Sequence, residues 1–483
     1  MYIGLDIGTS SVKAILLGED QSLIASATSD LTVERPHPGW SEQDPDSWWR
    51  ACETVLDDLK TKAPAELAAV KGIGLSGHMH GATLLDSRGR PLRPCILWND
   101  GRSGKQCEEL TKAEPKFHTL GGNLVMPGFT APKLQWVQEN EPEIFSKTAM
   151  VLLPKDYVRF KLTGEYAGDM SDSAGTLWLD VAGRDWSDEL LAATGLTRAQ
   201  MPRLVEGSEA SGTLTPALCS RWGFSAPPVV AGGGGDNAAS ACGVGAVDPG
   251  SAFVSLGTSG VLFVTNDRFS PNVDGAVHAF CHAVPETWHQ MGVILSATDS
   301  LNWLAGVLKK TPGDLTQALG RVSGPSAVSF LPYLGGERTP HNDVAIRAGF
   351  SGISHETDDN ALTHAVLDGV AFALKDCLEA LSVAGTKIDR VLAVGGGSRS
   401  EAWLEIIASL LNVIVDVPVD GDFGASLGAA RLGQAAALGS TDGVFGKPAL
   451  KTSIEPVPSL TEHYAEAYGR WRKLYPAFKQ AGF

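Results

Sequence analysis

Cysteine is scarce: there are seven in 483 residues, and none forms a CxxC pair. A chain this long builds its core without disulfides, so free thiols are expected and a disulfide scaffold is excluded. The one Cys/His cluster is His278, Cys281, His282 and His289. It lies in a stretch that alternates like a strand and divides its side chains between two faces, a poor arrangement for zinc. No run of 18 or so apolar residues is present, so no membrane span is expected. No basic, cleavable leader precedes MYIGLD, and a cytoplasmic protein is expected. Positive charge is also short. Lys and Arg number 39 against 55 Asp and Glu, a net charge of −16 that repels phosphodiester backbones and argues against a nucleic-acid partner. There is no GxxxxGK[ST] run, so a P-loop is excluded. Gly72, Gly74 and Gly77 spell GxGxxG, but they lie inside the strand-like AVKGIGLSG with no helix start behind them, which argues against a dinucleotide site.

What is present is a globular composition, 43% hydrophobic and 19% charged, long enough for two or more domains. Residues 2–7 and 12–17 alternate around Gly8-Thr9-Ser10 as a hairpin would. DPDSWWRACETVLDDLK reads as a helix with Asp44 as N-cap and Pro45 at its first position. Strand-like 69–77 and 227–233 continue an α/β pattern. The pattern restarts at 251–264 and runs through a long amphipathic helix (362–381), a strand (389–397), a helix whose Ser398 and Glu401 suggest a capping box, a strand (412–419) and a small-residue helix (424–438). An amphipathic helix over 459–479 closes the chain. No low-complexity linker divides the halves; Asp248-Pro249-Gly250 is the only turn signal between them.

Two stretches are nearly copies: LDIGTS (5–10) and VSLGTS (254–259). A Gly-Thr-Ser turn lets backbone approach a ligand, and its N–H groups and hydroxyls suit phosphate oxygens. Two such turns, each opening an α/β half, could grip a polyphosphate from both sides. Asp6, beside the first turn, suits Mg²⁺, which takes one or two carboxylates plus phosphate; Ser255 at the matching position is neutral. In VVAGGGGDNAAS (229–240) Asp236 follows four glycines and opens a helix. It could be an ordinary N-cap, but the bare turn would let a substrate reach a carboxylate able to accept a hydroxyl proton. GGGSRS (395–400) offers backbone free of side chains to an adenine or ribose face. GHMHGATLL (77–85) and LWNDGR (97–102) place Met79, His80, Trp98, Asn99, Asp100 and Arg102 at strand ends, a set able to hydrogen-bond a polyol and cover its carbon face.

The ordered series DIGTS, GHMHG, LWNDGR, GGGGDNAAS, SLGTSG, GERTPHN and GGGSRS resembles the FGGY family of carbohydrate kinases, within the actin–hexokinase–Hsp70 superfamily. GFTAPKLQWVQEN (128–140) and AGFSGISHETDDNALTHAVLD (348–368) are similar to the family's two signatures. HPGWSEQDP, HMHGATLL, LWNDGR, PKDY and LPYLGGERTPHN together resemble members that phosphorylate D-xylulose. The resemblance implies an α/β fold of two ribonuclease-H-like (actin/hexokinase/Hsp70-type) domains around a cleft, at 1–246 for sugar and 247–483 for ATP. It implies Asp236 as catalytic base, with Met79, His80, Trp98, Asn99, Arg102, Asp236 and Asn237 around the sugar. Gly8, Thr9, Ser10, Lys13, Gly257, Thr258, Gly396, Gly397 and Ser400 would serve ATP, and Asp6 would serve Mg²⁺. A homodimer fits the same resemblance. Another ketose or a polyol (ribulose, glycerol, gluconate) is the nearest alternative substrate, and a non-catalytic nucleotide switch is the rival from another class.

Overall fold

The computed structural model describes residues 1–419 and 424–482. The first half opens with β1 (Tyr2–Ile7), β2 (Ser11–Leu17) and β3 (Leu23–Asp30), an antiparallel meander. Helix α1 (Pro45–Lys62) follows, with Asp44 accepting from the Asp46 N–H at its start. Strand β4 (Gly72–Gly77) then runs parallel to β1. Helices α2 (Pro154–Thr163) and α3 (Met170–Ala174) come before β5 (Val229–Ala231), which pairs parallel to β4. A break at Gly233, φ +76°, precedes the short strand Gly234–Gly235, which rejoins β4. Helix α4 (Asp236–Gly243) follows at once.

The second half repeats this plan. β6 (Ala252–Leu256), β7 (Gly260–Asn266) and β8 (Trp288–Ile294) form an antiparallel meander. After α5 (Thr298–Leu308) and α6 (Asp359–Val383), β9 (Arg390–Val394) pairs parallel to β6. After α7 (Glu401–Leu411), β10 (Ile414–Pro418) pairs parallel to β9. The two sheets share one spatial order, β3-β2-β1-β4-β5 and β8-β7-β6-β9-β10. The strand-to-strand plan of a ribonuclease-H-like core is thus present twice.

Helix α8 (Gly424–Leu438) belongs to the second half of the sequence but packs on β1, β4 and β5 of the first sheet and on α4. Bare backbone permits this. A Cβ on Gly74 would stand 1.7 Å from the Ala429 carbonyl, and one on Gly428 1.6 Å from that of Ala239. The glycines of the GxGxxG pattern serve helix–sheet packing. One apolar cluster joins the halves, bringing Met79, Phe117, Phe129 and Trp178 together with Phe253, Phe263 and Phe280.

Three local expectations are corrected. The cap of α7 is Ser400, which accepts from the Trp403 N–H, while Ser398 donates to the Gly395 carbonyl inside a 3₁₀ turn. Asp236 is the first residue of α4, not its cap; that place is Gly235's. The terminal segment is two helices, α9 (Pro458–Trp471) and α10 (Leu474–Ala481). Among the described residues no helix is long and apolar enough to cross a membrane.

Candidate active site

Asp6 sits near the end of β1, opposite Lys13 on β2 and beside Ser76 on β4. Ser76 is in turn level with Gly234. One row across three strands therefore leads from Asp6 to the glycine turn, and Asp236 follows two residues on. Burial pushes the Asp236 carboxyl up to about 6, the Asp6 charge adds to the rise, and hydrogen bonds from Asn237 oppose it. Those bonds come from the Asn237 N–H at 2.7 Å and Nδ2 at 3.0 Å, both to Asp236 Oδ1. The Asp6 carboxyl is also raised by burial, against a hydrogen bond from Ser76 and the charge of Lys13. A carboxylate titrating near 6 is ionised at neutral pH yet basic enough to accept a proton.

The Gly8-Thr9-Ser10 turn caps this row. The Gly8 N–H donates to the Ser11 carbonyl at 3.0 Å, and Thr9 is held by Trp98 Nε1 on its hydroxyl (3.0 Å) and Gln43 Nε2 on its carbonyl (2.7 Å). Ser10 is exposed. In the second turn, Gly257 and Thr258 direct their carbonyls at the start of α5. Thr298 donates to Gly257 from its N–H at 2.9 Å and its hydroxyl at 2.8 Å, and the Ala297 N–H reaches Thr258 at 2.8 Å. The side chains of Thr258 and Ser259 stay exposed. Thr298 also lines a cavity of about 1100 Å³ with Gly396, Gly397 and Ser400. Its size suits a nucleotide. A Cβ on Gly396 would meet nothing within 4 Å, whereas one on Gly397 would stand 2.7 Å from Leu256 Cβ. Gly396 therefore faces open space and Gly397 faces the sheet.

Met79 and His80 follow β4. Met79 is buried, and a Cβ on Gly235 would lie 2.9 Å from its sulfur, so the methionine packs directly against Gly235, the residue before Asp236. His80 has φ +70°, a conformation costly for a non-glycine residue that persists only where its surroundings enforce it. Here Lys133 Nζ (2.9 Å) and Thr130 Oγ1 (3.1 Å) donate to the His80 carbonyl, and Nδ1 lies 2.6 Å from the Gly175 carbonyl. Burial lowers the His80 imidazole to about 3, so the ring is neutral. Nδ1 then carries the proton given to Gly175, and Nε2 remains an acceptor for a ligand hydroxyl. Phe129 meets the ring edge-on at 4.6 Å.

Of the LWNDGR residues, Trp98 is 46% exposed and touches the first turn through Thr9, and Asn99 is exposed. Arg102 is a correction. Its side chain is only 1% exposed, paired with Asp100 at 2.7 Å and Glu42 at 2.7 Å, and it stacks on Trp40 at 3.6 Å. The guanidinium braces the loop and presents nothing to a ligand. The structure thus brings Asp6, Lys13, Asp236, Asn237, Met79 and His80 to one end of the first sheet. It gathers Gly257, Thr258, Gly396, Gly397 and Ser400 at the matching end of the second. Lys133, Thr130 and Gly175, which fix His80, escaped the sequence reading, although Thr130 and Lys133 stand inside the quoted GFTAPKLQWVQEN.

Residues 1–243 match the N-terminal domain, and residues 252–437 the C-terminal domain, of the FGGY family of carbohydrate kinases. The chain is 51% identical over 479 residues to xylulose kinase of Escherichia coli (strain K12), covering 98% of both. It is 46% identical over 483 residues to xylulose kinase of Klebsiella pneumoniae, covering 99% of both. The crystal structure of a "xyloylose kinase" from Brucella ovis superposes with a TM-score of 0.97 at 57% identity, covering 99% of each chain.

Proposed function

The chain belongs to the FGGY family of carbohydrate kinases, and from that premise we propose that it transfers the γ-phosphoryl group of ATP to a terminal hydroxyl of D-xylulose. The products are D-xylulose 5-phosphate and ADP. The choice of sugar draws support from relatives that are xylulose kinases along their whole length. The observation that carries the chemistry is Asp236: a carboxylate raised to about 6, delivered by a side-chain-free turn that Met79 packs against at Gly235.

Asp236 takes the proton of the attacking hydroxyl as the oxygen closes on the γ-phosphorus. His80 Nε2 accepts from a second hydroxyl, and Met79 covers carbon. Residues 1–246 form the sugar domain and residues 247–483 the ATP domain. The two Gly-Thr-Ser turns hold the phosphates between them, and closure of the cleft keeps water from competing as acceptor. Mg²⁺ fits this arrangement. Asp6 and Asp236 are close enough for one charge to raise the other, and a cation relieves that repulsion. Asp6 is the residue that would hold the ion, which supplies charge neutralisation on the phosphates.

The test is ADP release measured across D-xylulose, D-ribulose, glycerol, gluconate and deoxy sugars. The highest kcat/KM is expected for D-xylulose. A preference for another substrate would reassign the sugar, and ATP turnover indifferent to every sugar would favour a nucleotide switch. The ATP side has its own check. Gly396→Val adds bulk toward the cavity without meeting the fold. It is expected to raise the KM for ATP about tenfold, the cost of roughly 1.4 kcal/mol of binding, while sugar KM and melting temperature stay near wild type.

A further inference from the structure

The glycine turn that delivers Asp236 is held from both sides. Arg159, on α2, donates to the Gly232 carbonyl and lies 3.4 Å from that of Ala231. On the other side the Gly235 N–H donates to Ser171 Oγ at 3.1 Å. The Ser171 hydroxyl donates to Asp169 Oδ1 at 2.5 Å. Asp169 also anchors the start of α3, accepting from the N–H groups of Ser171 and Asp172. Its other oxygen meets Lys155 Nζ at 2.5 Å, and the same ammonium touches Asp156 at 2.6 Å and Asp172 at 3.0 Å. Every one of these side chains is buried.

Asp156, Asp169 and Asp172 are close enough together to hold a metal ion. The Lys155 ammonium already sits among them, so the resident cation is the protein's own. Lys155 and Arg159 balance two of the three carboxylates, and Arg159 pairs with Asp156 at 2.5 Å. Burial pushes the Asp172 carboxyl well up, the Lys155 charge opposes the rise, and the charges of Asp156 and Asp169 add to it. Moving any member would leave a buried charge uncompensated, so the cluster is a stiff platform. Ser171 links it through a hydroxyl to the reacting end of the molecule, at Gly235, one residue before Asp236.

We propose that Ser171, fixed by Asp169 and Lys155, is the positioning residue for the Asp236 carboxylate. By holding the Gly235 N–H it sets the backbone from which Asp236 projects, and with it the distance from base to sugar hydroxyl. A misplacement of about 1 Å at such a point can cost on the order of 100-fold in rate. The proposal rests on Asp236 being the base.

Ser171→Ala, Ser171→Thr and Asp236→Ala are to be compared in steady-state kinetics over pH 5–8 (roughly the range in which a carboxylate with a pKa near 6 titrates) and in thermal melts. Ser171→Ala is expected to lower kcat about 10- to 100-fold with the KM for ATP unchanged. Its acid limb of kcat/KM should move downward, because a loosened turn lets water reach the carboxylate. Ser171→Thr, which keeps the hydroxyl, should restore both. A wild-type kcat and acid limb in Ser171→Ala would overturn the proposal. So would a kcat loss that left the acid limb in place and followed a loss of melting temperature, since that describes a merely structural serine. The base assignment fails separately, if Asp236→Ala keeps its turnover. An inactive Asp236→Ala beside a normal Ser171→Ala would sink the positioning role alone.

Discussion

Asp236→Asn is expected to lose about 1000-fold or more in turnover while binding ATP almost as the parent does, because positioned general bases contribute roughly 10²–10⁴-fold. The asparagine keeps the volume and removes the proton acceptor. In the parent enzyme, kcat/KM should fall tenfold per pH unit below about 6, where Asp236 becomes protonated. The same raised pKa has a stability consequence. The folded value lies above the ordinary 3.8, so between about 4 and 6 the folded state binds more protons than the unfolded one. Stability therefore falls as pH rises through that window, and above 6 the penalty is fully present, up to about 3 kcal/mol for a shift of roughly two units. Asp236→Asn removes it. The inactive variant should melt higher than the parent at pH 7.5, and the gain should shrink toward pH 4.5. A variant that stayed active, or that melted lower at pH 7.5 and higher at pH 4.5, would contradict the assignment.

The sequence exposes those parts of this site whose chemistry is local. Each Gly-Thr-Ser turn lies between two alternating strands, and the duplication is visible as text. Asp236 stands out because four glycines precede it, although its place at the helix start differs by one residue from the expected cap. Gly235 fills that cap without a side-chain bond, and the Asp236 carboxylate instead accepts from the Asn237 N–H in the first turn of the same helix. Arg102 differs from the sequence expectation for the opposite reason. A loop arginine near a strand end looks available, and only the fold shows Asp100, Glu42 and Trp40 closing around it. Lys155, the Asp169–Ser171 pair and Gly235 come from three separate stretches of chain, so no spacing rule could have grouped them. The GxGxxG pattern lies in a strand as expected, and the reason for its first two glycines, Gly72 and Gly74, lies some 350 residues away in α8.

That reason leads to the second large effect, Gly74→Val. Gly74 lies on β4, two residues before Ser76, the neighbour of Asp6. Its missing side chain lets the Ala429 carbonyl approach to a point 1.7 Å from where a Cβ would be. The obstacle is helix backbone, which cannot rotate aside as a side chain does. α8 would have to lift from the sheet by more than about 1 Å, and overpacking of this kind costs about 1–3 kcal/mol, more when backbone must move. The same helix meets α4 just as closely, through Gly428 against the Ala239 carbonyl, three residues beyond Asp236. A shift of α8 therefore disturbs the mountings of Asp6 and Asp236 together. Gly74→Val is expected to melt several degrees lower and to lose turnover further than its stability loss explains, with kcat affected more than the KM for ATP. Gly306→Ala provides the contrast. It lies within α5, where a Cβ would meet nothing within 4 Å, and should gain about 0.5–1 kcal/mol from helix propensity. If Gly74→Val instead melted and turned over like the parent, bare-backbone contact would not be what seats α8 on the first sheet. The alignment of the two carboxylates would then have to come from the strand register and the Ser171 bond alone.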